Sequence, residues 1–150
     1  MTQSGRHQQL KMEVDSSFSN TVIVAMAVRG ICEMTLLTPV EVSRLELCLV
    51  EVLNNTIEHA YNNQPGNVVE TLVDISDTAV SITVSDRGLA LPAEILNESA
   101  NHAEQMLNNP TLQSSGRGLF IVNSLMDFVH YETLSGKNSF SLGINIHGNE

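Results

Sequence analysis

The chain is 150 residues long, the length of one ordinary domain, and its 42% hydrophobic and 16% charged residues argue against disorder. Seven Lys and Arg stand against 17 Asp and Glu, a formal charge of −10 with no basic run, so nucleic acid and anionic membrane are poor partners. A phosphate ligand would have to be held against that field by backbone N–H groups and a metal ion.

Residues 1–9 are polar and are expected to fray, with a single domain spanning 10–147. No signal peptide is visible, and Cys32 and Cys48 form no motif, so a reduced, cytoplasmic protein is expected. Leu10, Met12 and Val14 alternate with Lys11, Glu13 and Asp15, the period of a strand. Asp15, Ser16, Ser17 and Ser19 are candidate caps for a helix over Thr21–Met34, where Val-Ile-Val favours strand but the length and Ala-Met-Ala favour helix. Thr38-Pro39-Val40-Glu41 is a capping box with Pro at the first helical position. The helix it opens runs to about Tyr61, with Leu45, Leu49, Val52 and Thr56 as its buried stripe. Asn62 to Asn67 reads as a turn. Val68–Ile75 and Ala79–Ser85 alternate as two strands of a hairpin, the second delivering Asp86.

Residues 93–115 are polar and long for a loop inside a small domain, the signature of a lid or binding loop, with a short helix possible over Glu94–Leu107. Gly116-Arg117-Gly118 then opens a run from Leu119 to His130, with Leu119, Val122, Met126 and Val129 at helical spacing. Tyr131–Leu134 and Ser139–His147 close the chain as strands, the second alternating Phe140, Leu142, Ile144 and Ile146 with polar or small residues.

Three clusters carry chemistry. Glu51, Asn55 and His59 share one helix face. An Asn amide oxygen can be the main protein ligand of a Mg²⁺ ion that bridges phosphates, and a carboxylate one turn away can take a proton from a hydroxyl or water. Taken alone, the same three residues read more readily as an exposed polar face. Asp86 ends a strand and Gly88 follows, so a buried carboxylate could accept from an exocyclic amine such as adenine's; the alternative is a simple turn. Gly116-x-Gly118 at a helix start could bring N–H groups to phosphate, with Arg117 adding charge; the alternative is a flexible turn.

In this order, Glu51-x-x-x-Asn55-x-x-x-His59, Asp86-x-Gly88, a long polar segment and Gly116-x-Gly118 resemble the GHKL (Bergerat-fold) ATPase superfamily. Within it the chain looks most like the anti-sigma-factor serine/threonine kinases of bacterial partner switching. No phosphoacceptor helix pair is expected before the domain, as there would be in a histidine kinase. The resemblance implies an α/β two-layer sandwich, a mixed, mostly antiparallel sheet with helices on one face. It implies ATP and Mg²⁺ as cofactors, Glu51 as general base and Asn55 as Mg²⁺ ligand. Asp86 would read adenine with Gly88 beside the base, Gly116 and Gly118 would hold phosphate near Arg117, and residues 93–115 would be the lid. Ser139 falls near the place of a Thr that helps hold adenine, and His59 would be structural. The implied partners are an anti-sigma-factor antagonist that accepts the phosphoryl group, a sigma factor, and a second copy in a homodimer.

Three departures from the pattern stand out. Ala90 replaces a second glycine, the lid segment carries no Lys or Arg, and Ser replaces Thr at position 139. They keep two other readings open: a partner-binding module of this fold with little or no kinase activity, and a switch whose target is not a sigma factor.

Overall fold

A computed structural model describes residue 5, residues 7–96 and residues 114–147, with the side chains of residues 114–117 left out. Five strands form one sheet: β1 (His7–Asp15), β2 (Val68–Ser76), β3 (Ala79–Asp86), β4 (Phe128–Leu134) and β5 (Lys137–Asn145), in the spatial order β1-β2-β3-β5-β4. All four pairings are antiparallel, the antiparallel limit of the mixed sheet expected. The helices are α1 (Phe18–Cys32), α2 (Pro39–Asn55), continued as one π-helical turn over Thr56–Ala60, and α3 (Ser114–Leu125).

The sheet is one-sided because its strands alternate. Val69, Thr71, Val73 and Ile75 of β2, Val80, Ile82 and Val84 of β3, and Phe140, Leu142 and Ile144 of β5 are buried toward the helices. They meet Leu45, Leu49, Val52 and Leu53 of α2 and Leu119 and Val122 of α3 in one core. α2 starts where its capping box dictates. Thr38 Oγ1 accepts from Glu41 N (3.2 Å), and Glu41 Oε1 accepts from Thr38 N (2.9 Å). Arg29 holds α1 to α2 through Glu46 (2.7 Å).

Several boundaries differ from the sequence reading. β1 begins at His7, inside the stretch expected to fray, because its ladder reaches Ser76 and His7 pairs with Asp74 (2.9 Å). Ser17 is the N-cap of α1 but makes no side-chain cap bond. The neighbouring polar residues instead clamp the 62–67 turn: Asp15 Oδ1 accepts from Gly66 N (2.8 Å), and Ser16 Oγ donates to Gln64 O (2.7 Å). The helix after Gly118 stops at Leu125, not His130, and Val129 belongs to β4. Asp127 makes the break: its N–H donates to Gly143 O (2.9 Å) and its Oδ2 accepts from Asn145 N (2.8 Å). Phe128 then lies across Gly143, where a Cβ would overlap its ring. Residues 93–96 form a helical turn; the rest of the expected lid, 97–113, lies outside the described residues.

Candidate active site

The site gathers where the C-terminal half of α2 crosses the end of β3. Asn55 is the last α-helical residue of α2, 4% exposed. Its Nδ2 donates to Glu51 O (3.0 Å) one turn back, and its Oδ1 is buried with no hydrogen-bond partner among the described residues. Buried amide oxygens are rarely left so, and an unsatisfied one calls for an explanation. The π turn follows at once, and such register shifts concentrate at functional sites. His59 sits within it, half-buried, its Nε2 likewise without a partner.

Glu51 is half-buried one turn before Asn55, and burial pushes its carboxyl above the usual carboxylate range. Gly118 of α3 seats directly on it: a Cβ there would overlap Oε2 and stand 3.1 Å from Cδ. The glycine motif therefore does two different things. α3 already begins at Ser114, so Gly116 is its third residue, in the turn whose N–H groups have no intrahelical partner. Gly118 is the fifth, beyond those orphan N–H groups, and what its missing side chain permits is close approach to Glu51. The side chain of Arg117 lies outside the described residues.

Asp86 closes β3, 8% exposed. Its Oδ1 accepts from Gly88 N (2.9 Å) and from Asn138 Nδ2 (2.8 Å). Burial raises its carboxyl from the ordinary value, and these two donors oppose the rise. Gly88 is required by packing: a Cβ would collide with the Ala60 carbonyl, and Leu89 N donates to that same oxygen (3.0 Å). Tyr61 pins the turn from the other side, its hydroxyl accepting from Arg87 N (2.9 Å) and donating to Val68 O (2.7 Å).

Ser139 does not join these residues. Register sets it opposite Ser85, and the two hydroxyls bond at 3.0 Å on the sheet face away from the helices. The residue beside Asp86 is its cross-strand partner Asn138, 2% exposed, which the sequence reading passed over. The strand alternation already contained that signal. Phe140, Leu142 and Ile144 face the core, so Asn138 shares their face and Ser139 does not.

Asn55, Asp86, Leu89, Leu91, Tyr131 and Phe140 line a cleft of only about 10 Å³. Tyr131 holds it shut: its hydroxyl accepts from Leu91 N (2.8 Å). A larger cavity of about 570 Å³ opens around Lys11, Glu70, Arg87 and Lys137 and also borders Asp86. Its lysines are already spent on Glu70, at 2.7 and 2.9 Å, and it includes neither Glu51 nor Asn55. The small cleft holds Asn55 and Asp86 together. Among the described residues no three His, Cys, Asp or Glu cluster as metal ligands. The Asn55 oxygen fits a Mg²⁺ ion that takes its other ligands from phosphate and water.

Residues 16–142 match the histidine kinase-like ATPase domain. The chain belongs to that family. Among curated members it is 33% identical over 101 residues to the anti-sigma F factor of Geobacillus stearothermophilus, a match covering 66% of this chain. It spans 65% of that relative's length. The anti-sigma F factor of Pasteuria penetrans is 27% identical over 89% of this chain and 87% of its own. The serine-protein kinase RsbW of Staphylococcus aureus is 25% identical over 85% and 80%. Among solved structures, a chain of the SiaB–SiaC complex from Pseudomonas aeruginosa matches with TM-score 0.61 and 16% identity, over 91% of this chain and 89% of that one. The likeness to that structure is one of fold. No helix among the described residues is long and apolar enough to cross a membrane.

Proposed function

We propose that this protein is an ATP-dependent serine/threonine kinase of a cytoplasmic partner switch. It would phosphorylate an anti-sigma-factor antagonist and hold a sigma factor when that antagonist is spent. The observation that carries the reading is the buried, unpartnered Oδ1 of Asn55 beside the half-buried carboxyl of Glu51. The names of the relatives support the same assignment.

Asn55 would hold Mg²⁺ through Oδ1, and the ion when bound would neutralise charge on the phosphate oxygens. Glu51 would take the proton of the acceptor hydroxyl; its raised pKa makes it the stronger base once ionised. Asp86 would accept the exocyclic amine of adenine, and the first turn of α3 at Gly116 would face phosphate. Base entry needs the Leu89–Leu91 segment to swing off Tyr131, at the cost of the one hydrogen bond between them.

A protein partner is supported separately by α1. Phe18, Val22, Ile23 and Met26 are 47–64% exposed, so this helix is apolar on its open face as well as its buried one. That surface suits the antagonist, the sigma factor or a second copy in a homodimer. The closed cleft and Ala90 favour one other reading, a partner-binding member of the fold without turnover.

Calorimetry of Mg-ATP binding separates the two. The kinase reading expects micromolar-range affinity, about −8 kcal/mol, whose Mg²⁺ dependence disappears in Asn55→Leu. Transfer of radiolabelled phosphate to a candidate antagonist should then vanish in Glu51→Gln. Absence of nucleotide binding by the wild type would leave the partner-binding reading.

A further inference from the structure

Asn138 has no role in the scheme above, yet it is the most fully engaged side chain at the site. It stands on β5 between Thr133 of β4 and Asp86 of β3, directly opposite both in register. Thr133 Oγ1 donates to its Oδ1 (2.6 Å). Its Nδ2 donates to Asp86 Oδ1 (2.8 Å) and to Gly88 O (3.0 Å). The orientation of the amide is dictated by these neighbours. Turned over, its oxygen would face a carboxylate oxygen and a carbonyl, three acceptors with no proton between them.

Two consequences follow for Asp86. Its Oδ1 is filled by Asn138 Nδ2 and Gly88 N, so a ligand meets the other oxygen, Oδ2. The carboxylate plane is also fixed by two donors on different elements, and Asn138 keeps no amide hydrogen with which to bind a base itself.

We propose that Asn138 is a positioning residue for nucleobase selection: with Thr133 it presents Asp86 as a fixed, donor-filled carboxylate that accepts a 6-amino purine and rejects a 6-oxo one. This rests on the reading of Asp86 as the base-contacting group. A 6-amino group donates to Oδ2, whereas a 6-oxo group sets acceptor against acceptor in a desolvated cleft, the arrangement polar sites discriminate against most strongly. Arg87 beside it, Lys11 and Glu13 of β1, Glu70 of β2 and Lys137 of β5 are the charged residues of the larger cavity that Asp86 also borders. Both lysines are bound to Glu70, and none of these five is hydrogen-bonded to the Asp86 carboxylate.

The test measures binding of ATP, GTP and the triphosphate of purine riboside, which lacks the 6-amino group, to wild type, Asn138→Leu and Thr133→Val. In wild type, deleting the amino group should weaken binding roughly ten- to a hundredfold, the worth of one hydrogen bond to a charged group. In Asn138→Leu that ratio should fall toward one and the preference for ATP over GTP should shrink with it. A merely structural residue would weaken all three ligands alike. Thr133 is exposed, so Thr133→Val keeps the fold and removes only the bond that anchors the amide oxygen. It should cut the ratio severalfold, and it carries the test should Asn138→Leu not fold. If wild type binds ATP and both ratios are unchanged in the variants, this inference falls and the kinase reading stands. If wild type binds no nucleotide, both fall.

Discussion

Gly88 and Gly118 both lie where a Cβ has no room, but the obstacles differ, and so should the consequences of Ala at each. At Gly88 the obstacle is main chain: the Ala60 carbonyl, whose carbon would lie 2.6 Å away, with Tyr61 Cδ1 at 2.9 Å. The carbonyl cannot rotate aside, and the Tyr61 ring is pinned through its hydroxyl to Arg87 N and Val68 O. The β3 turn must lift off the end of α2, and the Leu89 N to Ala60 O bond (3.0 Å) goes with it. Overpacking costs about 1–3 kcal/mol and the lost hydrogen bond about 1 more, a total of roughly 2–4 kcal/mol. At about 2–4 °C per kcal/mol for a chain of this size, Gly88→Ala should melt roughly 4–16 °C below wild type. At Gly118 the nearest obstacle is the tip of the Glu51 side chain, which can swing out of the way. Gly118→Ala should therefore melt within about 4 °C of wild type, a cost near 1 kcal/mol. Its damage should appear in phosphotransfer, because the displaced carboxyl is the proposed base. Thermal melts read by circular dichroism, with phosphotransfer measured alongside, give both numbers. Equal melting temperatures for the two variants would refute the distinction between backbone and side-chain obstruction.

Thr38→Ala removes the hydroxyl half of the α2 capping box, leaving the bond from the backbone N–H of residue 38 to Glu41, and should cost about 1 kcal/mol in a urea titration, with the slope unchanged. Glu51 has its folded pKa raised by burial, so the folded state holds its proton more tightly than the unfolded state. Its charge costs the fold nothing at pH values below the unfolded pKa. The penalty grows as pH rises toward the folded pKa and is complete above it. Glu51→Gln should therefore gain stability relative to wild type as pH rises from 4 to 7 in paired urea melts; a difference independent of pH would contradict the burial. Burial alone pushes the Cys32 thiol up to about 11, and burial with the nearby Glu51 charge pushes Cys48 up to about 12. Both should resist a thiol-specific chromogenic reagent in the native state and react on unfolding.

The helices and most strands were legible because their determinants are local. The Thr38–Glu41 box and the Leu45, Leu49, Val52, Thr56 stripe each need only a few consecutive turns to be recognised, and all four stripe residues are buried. The β4 boundary was not legible for the opposite reason. Leu119, Val122, Met126 and Val129 keep helical spacing straight through the break, and what breaks the helix is the pairing of Asp127 with Gly143 and Asn145, on a strand 16 and 18 residues away. Nor does the π turn after Asn55 leave a mark in composition, since it is a shift of hydrogen-bond register and not of residue type.

Ser139 and Asn138 show the same divide within one step of the chain. Choosing the hydroxyl residue because it resembles a Thr places the functional side chain on the outer face, bonded to Ser85. Applying the two-residue period instead puts Asn138 with Phe140, Leu142 and Ile144, and puts Asp86 with Val80, Ile82 and Val84 on the facing strand. A one-residue error on a strand is a change of face, whereas on a helix it is a rotation of 100° that often leaves a residue near the same cluster. Motif matching therefore transfers more safely to Glu51 and Asn55 on α2 than to any single position of β5. It was strand parity, together with a fully satisfied amide, that brought Asn138 to the site.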